Sequence, residues 1–382
     1  MAAKRKLTIG FVFDDSLDKP DGVQQYVLTL GGWLESQGHN VHYLVGETER
    51  SDIEQLHSLS RNVRVRFNRN RMAIPLPARV RPIRELLARE HFDVLHVQVP
   101  YSPMLAAKII ANAEPHTAVV GTFHIAPHSG LVGLGNRMLG LWLRRSLQRF
   151  DTMMSVSEPA AAFARRTFGV DSQVVPNPIN VARFTHAKPL TAHKQGLNVV
   201  FLGRLVERKG CQYLLQAVSS LVRRGDWPKQ ARVIVCGGGP LEAKLKAFAM
   251  ERHLEKVVKF VGYISEEDKP RYLAAADVAI YPSTGGESFG IVLLEAMAAA
   301  RGIVLAGNNP GYASVLAPRP EALFDPQDTK TFAQKLYLAL SSALVRNAAH
   351  KWQRSYVPQF DVANVGKRTL DVYMRALHKR VR

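Results

Sequence analysis

Apolar and polar residues follow a repeating two-part pattern along this chain. Short apolar runs of strand type are each followed by a stretch with apolar residues every three or four positions, the spacing of a helix with one buried face. Residues 7–13 (Leu-Thr-Ile-Gly-Phe-Val-Phe) read as a buried strand. Residues 22–36 read as a helix with Val23, Val27, Leu30 and Leu34 on its apolar face; Gly38-His39 ends it, and Val41–Val45 is the next strand. Such a strand–helix–strand unit is the building block of a parallel sheet. The pattern continues with a helix around 78–90, strand 93–97, helix 104–112, strand 117–123, helix 137–149, strand 152–156 and helix 158–168. It begins again with strand 197–202, helix 211–223, strand 231–236, helix 241–252, strand 257–260, helix 266–275, strand 277–281, a helix within 283–301 and strand 302–305. Residues 46–71 are polar and arginine-rich with no clear periodicity, 125–136 reads as a glycine-rich loop, and the tail 361–382 is helical in pattern.

Between the two runs lies Val174-Val175-Pro176-Asn177-Pro178-Ile179-Asn180, which two prolines stiffen and which reads as an interdomain crossing. The predicted fold is therefore α/β, with two doubly wound Rossmann-like domains, 1–177 and 178–360, facing each other across a cleft. A chain of 382 residues has the length for two such domains.

Composition narrows the surroundings. No apolar run approaches the roughly 18 residues of a membrane span, and the basic start Met1–Lys6 is followed by too short an apolar stretch for a signal peptide. The two cysteines, Cys211 and Cys236, suit a reducing cytoplasm and read as small buried residues. Lys and Arg number 51 against 32 Asp and Glu, a formal net charge of +19. A cation of this size calls for an anionic partner, be it membrane, nucleic acid or substrate. No helix-turn-helix, RNA-recognition or zinc signature supports nucleic acid.

The chemistry concentrates in residues 283–301, Ser-Thr-Gly-Gly-Glu-Ser-Phe-Gly-Ile-Val-Leu-Leu-Glu-Ala-Met-Ala-Ala-Ala-Arg. Gly285 and Gly286 permit a tight turn that feeds a helix whose buried face holds Ile291, Leu294, Met297 and Ala298. Free N–H groups and the positive end of the helix dipole make such an N-terminus an anion site. Glu287 lies in the turn and Glu295 in the helix, where an acid among apolar residues needs a partner; sugar hydroxyls are suitable. At the end of strand 197–202, Gly203-Arg204 through Lys209-Gly210 places two cations on one short loop, able to meet one diphosphate. Gly237-Gly238-Gly239-Pro240 after strand 231–236 is a weaker signal; without the Gly-x-Gly-x-x-Gly spacing it disfavours a nicotinamide cofactor.

The full string from Gly285 to Ala299 resembles the Glu-x7-Glu signature of the retaining glycosyltransferases of family 4, and its wording looks especially like the bacterial phosphatidylinositol mannosyltransferases. The resemblance runs from Gly22 to the tail. It implies the GT-B fold, with 361–382 crossing back to complete the first domain, and a nucleotide-diphosphate sugar as co-substrate, GDP-mannose favoured. It implies that Arg204 and Lys209 bind the pyrophosphate, Glu287 the sugar and Glu295 the ribose. Ser288, Phe289, Gly290 and Gly237 would complete the donor pocket, with Gly22 approaching the diphosphate from the first domain. His124, at the end of strand 117–123, would reach the donor sugar, and Gln24 and Tyr101 would face the acceptor. His124, Glu287, Arg204 and Lys209 are thus the catalytic candidates. No Asp-x-Asp triplet occurs, so no metal and no cofactor beyond the sugar nucleotide is expected.

The helix around 78–88 carries Arg79, Arg81 and Arg84 beside Val80, Ile83 and Leu86–Leu87; in the lipid mannosyltransferases the matching helix lies on an anionic bilayer. The expected enzyme is therefore cytoplasmic and peripheral on the inner membrane face, with a lipid or glycolipid acceptor such as phosphatidylinositol. After strand 93–97 this chain reads Val99-Pro100-Tyr101-Ser102-Pro103, where those mannosyltransferases carry a Glu and an Asn facing the acceptor; Tyr101 leaves a diacylglycerol or saccharide acceptor and a UDP-sugar open. A nucleotide-sugar 2-epimerase is the rival enzyme class, and a donor-independent membrane scaffold the non-enzymatic one. The sequence is silent on oligomeric state.

Overall fold

The computed structural model describes residues 5–18, 22–60, 62–67, 70–75, 78–124, 144–190 and 196–381. The chain divides into two units, residues 1–178 with 362–382 and residues 179–361, so the boundary falls inside the proline-bearing stretch 174–180.

In the first unit the chain runs β1 (Thr8–Phe13), α1 (Gly22–Ser36), β2 (Asn40–Val45), β3 (Leu56–Ser58), β4 (Asn62–Phe67), β5 (Asn70–Pro75), α2 (Val80–Glu90), β6 (Val94–Gln98), α3 (Leu105–Ala111), β7 (Ala118–Phe123), α4 (Arg144–Leu147), β8 (Thr152–Ser155), α5 (Glu158–Phe168) and β9 (Gln173–Val174). Seven strands form one sheet in the order β3-β2-β1-β6-β7-β8-β9, and every pairing in it is parallel. Its central strands are covered on both faces, which is why they read as near-continuous apolar runs. The strand order reverses between β1 and β6, and ligands of open α/β sheets bind beyond the carboxyl ends of strands at such a point.

The segment 46–71, expected to lack periodicity, instead holds β3 and most of an antiparallel hairpin in which Val63 pairs with Ile74 and Val65 with Met72. Val63, Val65 and Phe67 do alternate with Arg64 and Arg66, a two-residue period obscured by the arginines. The expected loop 125–136 and most of helix 137–149 lie outside the described residues.

The C-terminal helix (Val362–Val381) belongs to the first unit. Val365, Val372, Tyr373, Ala376 and Leu377 enter its core beside Tyr26, Leu30 and Leu34. Close approach to α1 requires Gly366, where a Cβ would meet the Trp33 ring at 2.2 Å. The basic residues of this helix clamp it down. Arg380 pairs with Asp151 at 2.8 Å, Lys379 donates to the Asp151 carbonyl at 2.7 Å, and Arg368 and Arg375 reach Val174 O and Gln173.

The second unit runs α6 (Val181–Thr185), β10 (Leu197–Leu202), α7 (Cys211–Arg224), β11 (Ala231–Cys236), α8 (Glu242–Glu251), β12 (Val258–Gly262), α9 (Lys269–Ala274), β13 (Val278–Tyr281), α10 (Ile291–Ala299), β14 (Ile303–Gly307), α11 (Pro310–Leu316), β15 (Leu323–Phe324), α12 (Thr329–Ser341) and α13 (Ala343–Tyr356). Its parallel sheet has the order β12-β11-β10-β13-β14-β15, with the switch between β10 and β13. The two motif-bearing loops, 203–210 and 282–290, follow those two strands.

Candidate active site

Two glycines explain how the loops of the second unit come together. Gly210 closes a single 3-10 turn (Glu207–Lys209) at φ +74°, and a Cβ there would lie 1.8 Å from the Pro282 carbonyl. Gly237, at φ +138°, would place a Cβ 2.0 Å from the Gly203 carbonyl. Only glycine fits either position. Gly237, expected as a donor contact, therefore has a packing reason of its own.

Glu287 sits at the junction of the loops with its side chain 12% exposed. Its Oε1 lies 2.8 Å from both Arg208 Nη1 and Lys209 Nζ and accepts from Ser283 Oγ at 3.0 Å. Burial alone would raise its pKa, but Lys209, Arg208 and the Ser283 hydroxyl outweigh it and hold the carboxylate below its ordinary range. Arg208, which sequence reasoning passed over, thus belongs to the cluster. Arg204 is exposed and forms no ion pair among the described residues. The cations outnumber the carboxylate here and favour an anionic ligand.

Gly290 caps the amino end of α10 at φ +115°. Ser288 beside it is half-buried, while Phe289 is 6% exposed and packs edge-on against Phe360, so its ring serves the core. Glu295 is 5% exposed. The partner its burial demands is not left to a sugar: Lys269 Nζ, on α9, lies 2.7 Å from Glu295 Oε1 and 2.8 Å from Glu266 Oε2. Burial still raises the Glu295 pKa, against the pull of Lys269. Lys269 in turn sits over the Phe184 ring at 5.8 Å. The sequence offered little signal for Lys269, since a lysine in a first helical turn is usually solvated.

In the first unit, candidate residues gather at the carboxyl ends of β1, β6 and β7. His124 is 6% exposed; its Nε2 lies 2.7 Å from Gln98 Oε1 and its ring meets Tyr26 edge-on at 4.8 Å. Burial lowers its pKa to about 3. His96 is likewise buried and lowered to about 3, with Nε2 on Thr122 at 2.6 Å and Nδ1 on Tyr373 at 2.7 Å. Asp14, unrecognised in the sequence, accepts from the Ser102 hydroxyl and from the Ala106 amide at 2.8 Å, which ties the end of β1 to the loop after β6. Burial raises its pKa against both donors. In that loop Val99 has φ +57°, a strained backbone for a β-branched residue.

The two acceptor candidates have partners within the first unit. Gln24 is 3% exposed and donates Nε2 to the Ser16 carbonyl at 3.0 Å, bracing the β1–α1 connection. The Tyr101 ring stacks on Phe123 at 5.8 Å and Phe168 at 5.1 Å and meets Phe163 edge-on at 6.0 Å, so it is packing. Gly22 opens α1 and is exposed; residues 19–21 before it lie outside the described set.

The proposed membrane helix also needs correction. The apolar stripe of α2, Ile83, Leu86 and Leu87, is buried in the core of the first unit and cannot enter a bilayer. Arg79, Arg81 and Arg84 remain exposed, with Arg81 paired to Glu85 at 2.7 Å and Arg84 bonded to Asn112 at 2.7 Å. No described helix is long and apolar enough to cross a membrane. Cys211 and Cys236 are free, buried thiols. Among the described residues, no three His, Cys, Asp or Glu side chains are grouped to hold a metal.

Comparison with known proteins agrees with this architecture. The family model described as Glycosyltransferase Family 4 matches residues 20–183, and that described as Glycosyl transferases group 1 matches residues 183–355. The phosphatidyl-myo-inositol mannosyltransferase of Mycobacterium tuberculosis is 32% identical over 302 residues, covering 78% of this chain and 77% of that protein. The protein of the same name from Mycobacterium leprae is 28% identical over 374 residues, 96% of each. Among solved structures, Anabaena Alr3699/HepE in complex with UDP aligns with a TM-score of 0.75 at 17% identity, covering 96% of this chain and 99% of that one. At that identity the likeness is one of fold.

Proposed function

The chain belongs to glycosyltransferase family 4 and has the Rossmann-like units of the GT-B fold, and from that premise we propose that it transfers mannose from GDP-mannose, with retention of configuration and without a metal ion, to a phosphatidylinositol-like lipid at the cytoplasmic face of the membrane. The observation that carries this reading is the convergence, at the switch point of the second sheet, of Arg208 and Lys209 on Glu287 beside exposed Arg204. The names of the mycobacterial relatives support the choice of sugar and acceptor.

In the proposed reaction the departing diphosphate gathers negative charge. Arg204, the surplus charge of Arg208 and Lys209, and the amino end of α10 neutralise it. Glu287, held ionised, takes sugar hydroxyls as an acceptor and keeps Lys209 aimed at the phosphates. The acceptor hydroxyl attacks on the face the diphosphate leaves, so configuration is kept, and no side chain serves as nucleophile. Positioning and charge stabilisation carry the rate. Exposed arginines on α2 supply a purely electrostatic contact with anionic lipid, at roughly 1 kcal/mol each. The departure at 99–103 from the Glu and Asn of the lipid mannosyltransferases favours a second reading of the acceptor, a diacylglycerol or saccharide, in place of phosphatidylinositol.

The test is transfer of radiolabelled sugar from GDP-, UDP- and ADP-sugars to a panel of lipid and saccharide acceptors, with and without chelator. GDP-mannose turnover that survives chelation and falls about 100-fold or more in Glu287→Ala is expected, the loss typical of one electrostatic stabiliser. Unchanged turnover in that variant, or activity that disappears with chelator and returns with manganese, overturns the assignment.

A further inference from the structure

The end of β6 contains a side-chain amide whose hydrogen bonds determine the protonation pattern of His124. Gln98 is fully buried and stands opposite Thr122 in the parallel register of β6 and β7. Its Nε2 lies 3.2 Å from the His96 carbonyl oxygen. A carbonyl oxygen accepts and never donates, so the edge of the amide that faces it must be the NH2 group. The other edge, Oε1, is then an acceptor only, and it lies 2.7 Å from His124 Nε2. That contact is a hydrogen bond only if His124 Nε2 carries the proton.

A neutral imidazole has one N–H. With the proton on Nε2, Nδ1 is an acceptor, and it makes no hydrogen bond among the described residues. The ring of His96 does not compete, because Thr122 and Tyr373 occupy both of its nitrogens. Burial keeps His124 neutral across the physiological range.

We propose that Gln98 is a positioning residue, which holds His124 as the Nε2-protonated tautomer so that Nδ1 is offered as an acceptor to a substrate hydroxyl. The contact of His124 with a substrate hydroxyl is the one the family resemblance implies and rests on the transferase reading above; the tautomer itself does not. An acceptor nitrogen selects a partner that can donate. It takes a sugar or lipid hydroxyl, and it gives nothing to a carbonyl or phosphate oxygen, so the pair Gln98–His124 sets which group of a substrate is tolerated at this point. A site built to bond one hydroxyl rejects an analogue that lacks it much more strongly than it rejects a change of bulk.

The experiment is long-range 1H–15N correlation on the full chain labelled at its histidines, with His124→Asn used to assign the His124 signals. In the unsubstituted protein the expected pattern is one lone-pair nitrogen at Nδ1 and one N–H at Nε2. Gln98→Met, which keeps the volume and removes the acceptor, is expected to let a minor Nδ1–H population appear beside the Nε2–H form and to lower kcat/KM about tenfold, the scale of one hydrogen bond. A wild-type spectrum with the proton on Nδ1, or an unchanged tautomer ratio in Gln98→Met, overturns the proposal. The wild-type spectrum needs no substrate, and its assignment needs only that His124→Asn fold. A confirmed tautomer in a protein that turns over no nucleotide sugar would therefore sink the transferase reading while leaving the positioning role standing.

Discussion

Replacing Lys269 with methionine tests the electrostatic core of the second unit. Lys269 and Glu295 each have a side chain only 7% exposed, and their charged atoms lie 2.7 Å apart. Methionine retains an unbranched chain over the Phe184 ring but removes the charge. Breaking a buried pair from one side costs roughly 3–5 kcal/mol, because the remaining charge has no compensation. The lower end applies here, since Glu295 can escape by taking a proton, a response its already raised pKa favours. The lost bond to Glu266, whose side chain is 38% exposed, adds little. In a unit of about 180 residues, each kcal/mol moves the melting temperature by roughly 2–4 °C, so the expected loss is about 6–12 °C.

The pH dependence has a definite sign. In the variant the folded pKa of Glu295 lies further above its ordinary value, so between the two values the unfolded chain binds fewer protons than the folded one. Stability then falls as pH rises through that window, and the deficit is smallest at its acid end. Thermal and urea unfolding of the full chain near pH 5 and pH 8, with the double variant Lys269→Met/Glu295→Gln alongside, measures this. The double variant should recover most of the loss at the higher pH. A deficit below about 1 kcal/mol, or one indifferent to pH, would mean that the pair does not govern this part of the core.

Two further outcomes follow from single contacts. Tyr373→Phe leaves the buried His96 Nδ1 without its partner, and chemical denaturation should show a loss of about 1–3 kcal/mol; no change would remove this bond from the account of how the C-terminal helix is held. Gly210→Ala drives a Cβ to 1.8 Å from the Pro282 carbonyl, so the loop carrying Lys209 must move away from Glu287. Calorimetry should then show nucleotide-sugar affinity reduced about tenfold or more at nearly unchanged stability of the first unit, and wild-type affinity would refute the packing argument.

The sequence alone determined that this chain is built of parallel strand–helix units, because burial on both faces of a sheet forces long apolar runs and the crossover helices force a 3.6-residue period. It also located the glycine turn before α10 and the acids Glu287 and Glu295, since close backbone approach and a carboxylate in an apolar helix both leave local marks. It was blind to partners. A periodic stripe reports that a face is buried and not what covers it, so the spacing of Ile83, Leu86 and Leu87 suits a membrane surface, and only the packed unit assigns the stripe to the core. The hairpin of β4 and β5 escaped notice because its pairing lies between strands, while the arginines within it imitate a loop. Lys269 meets Glu295, Arg208 meets Glu287, and Gln98 fixes His124 through contacts between residues 26 to 79 positions apart. Such separations are bridged by chain topology, which composition and local spacing do not encode; the tertiary fold alone set which charges and hydrogen bonds meet.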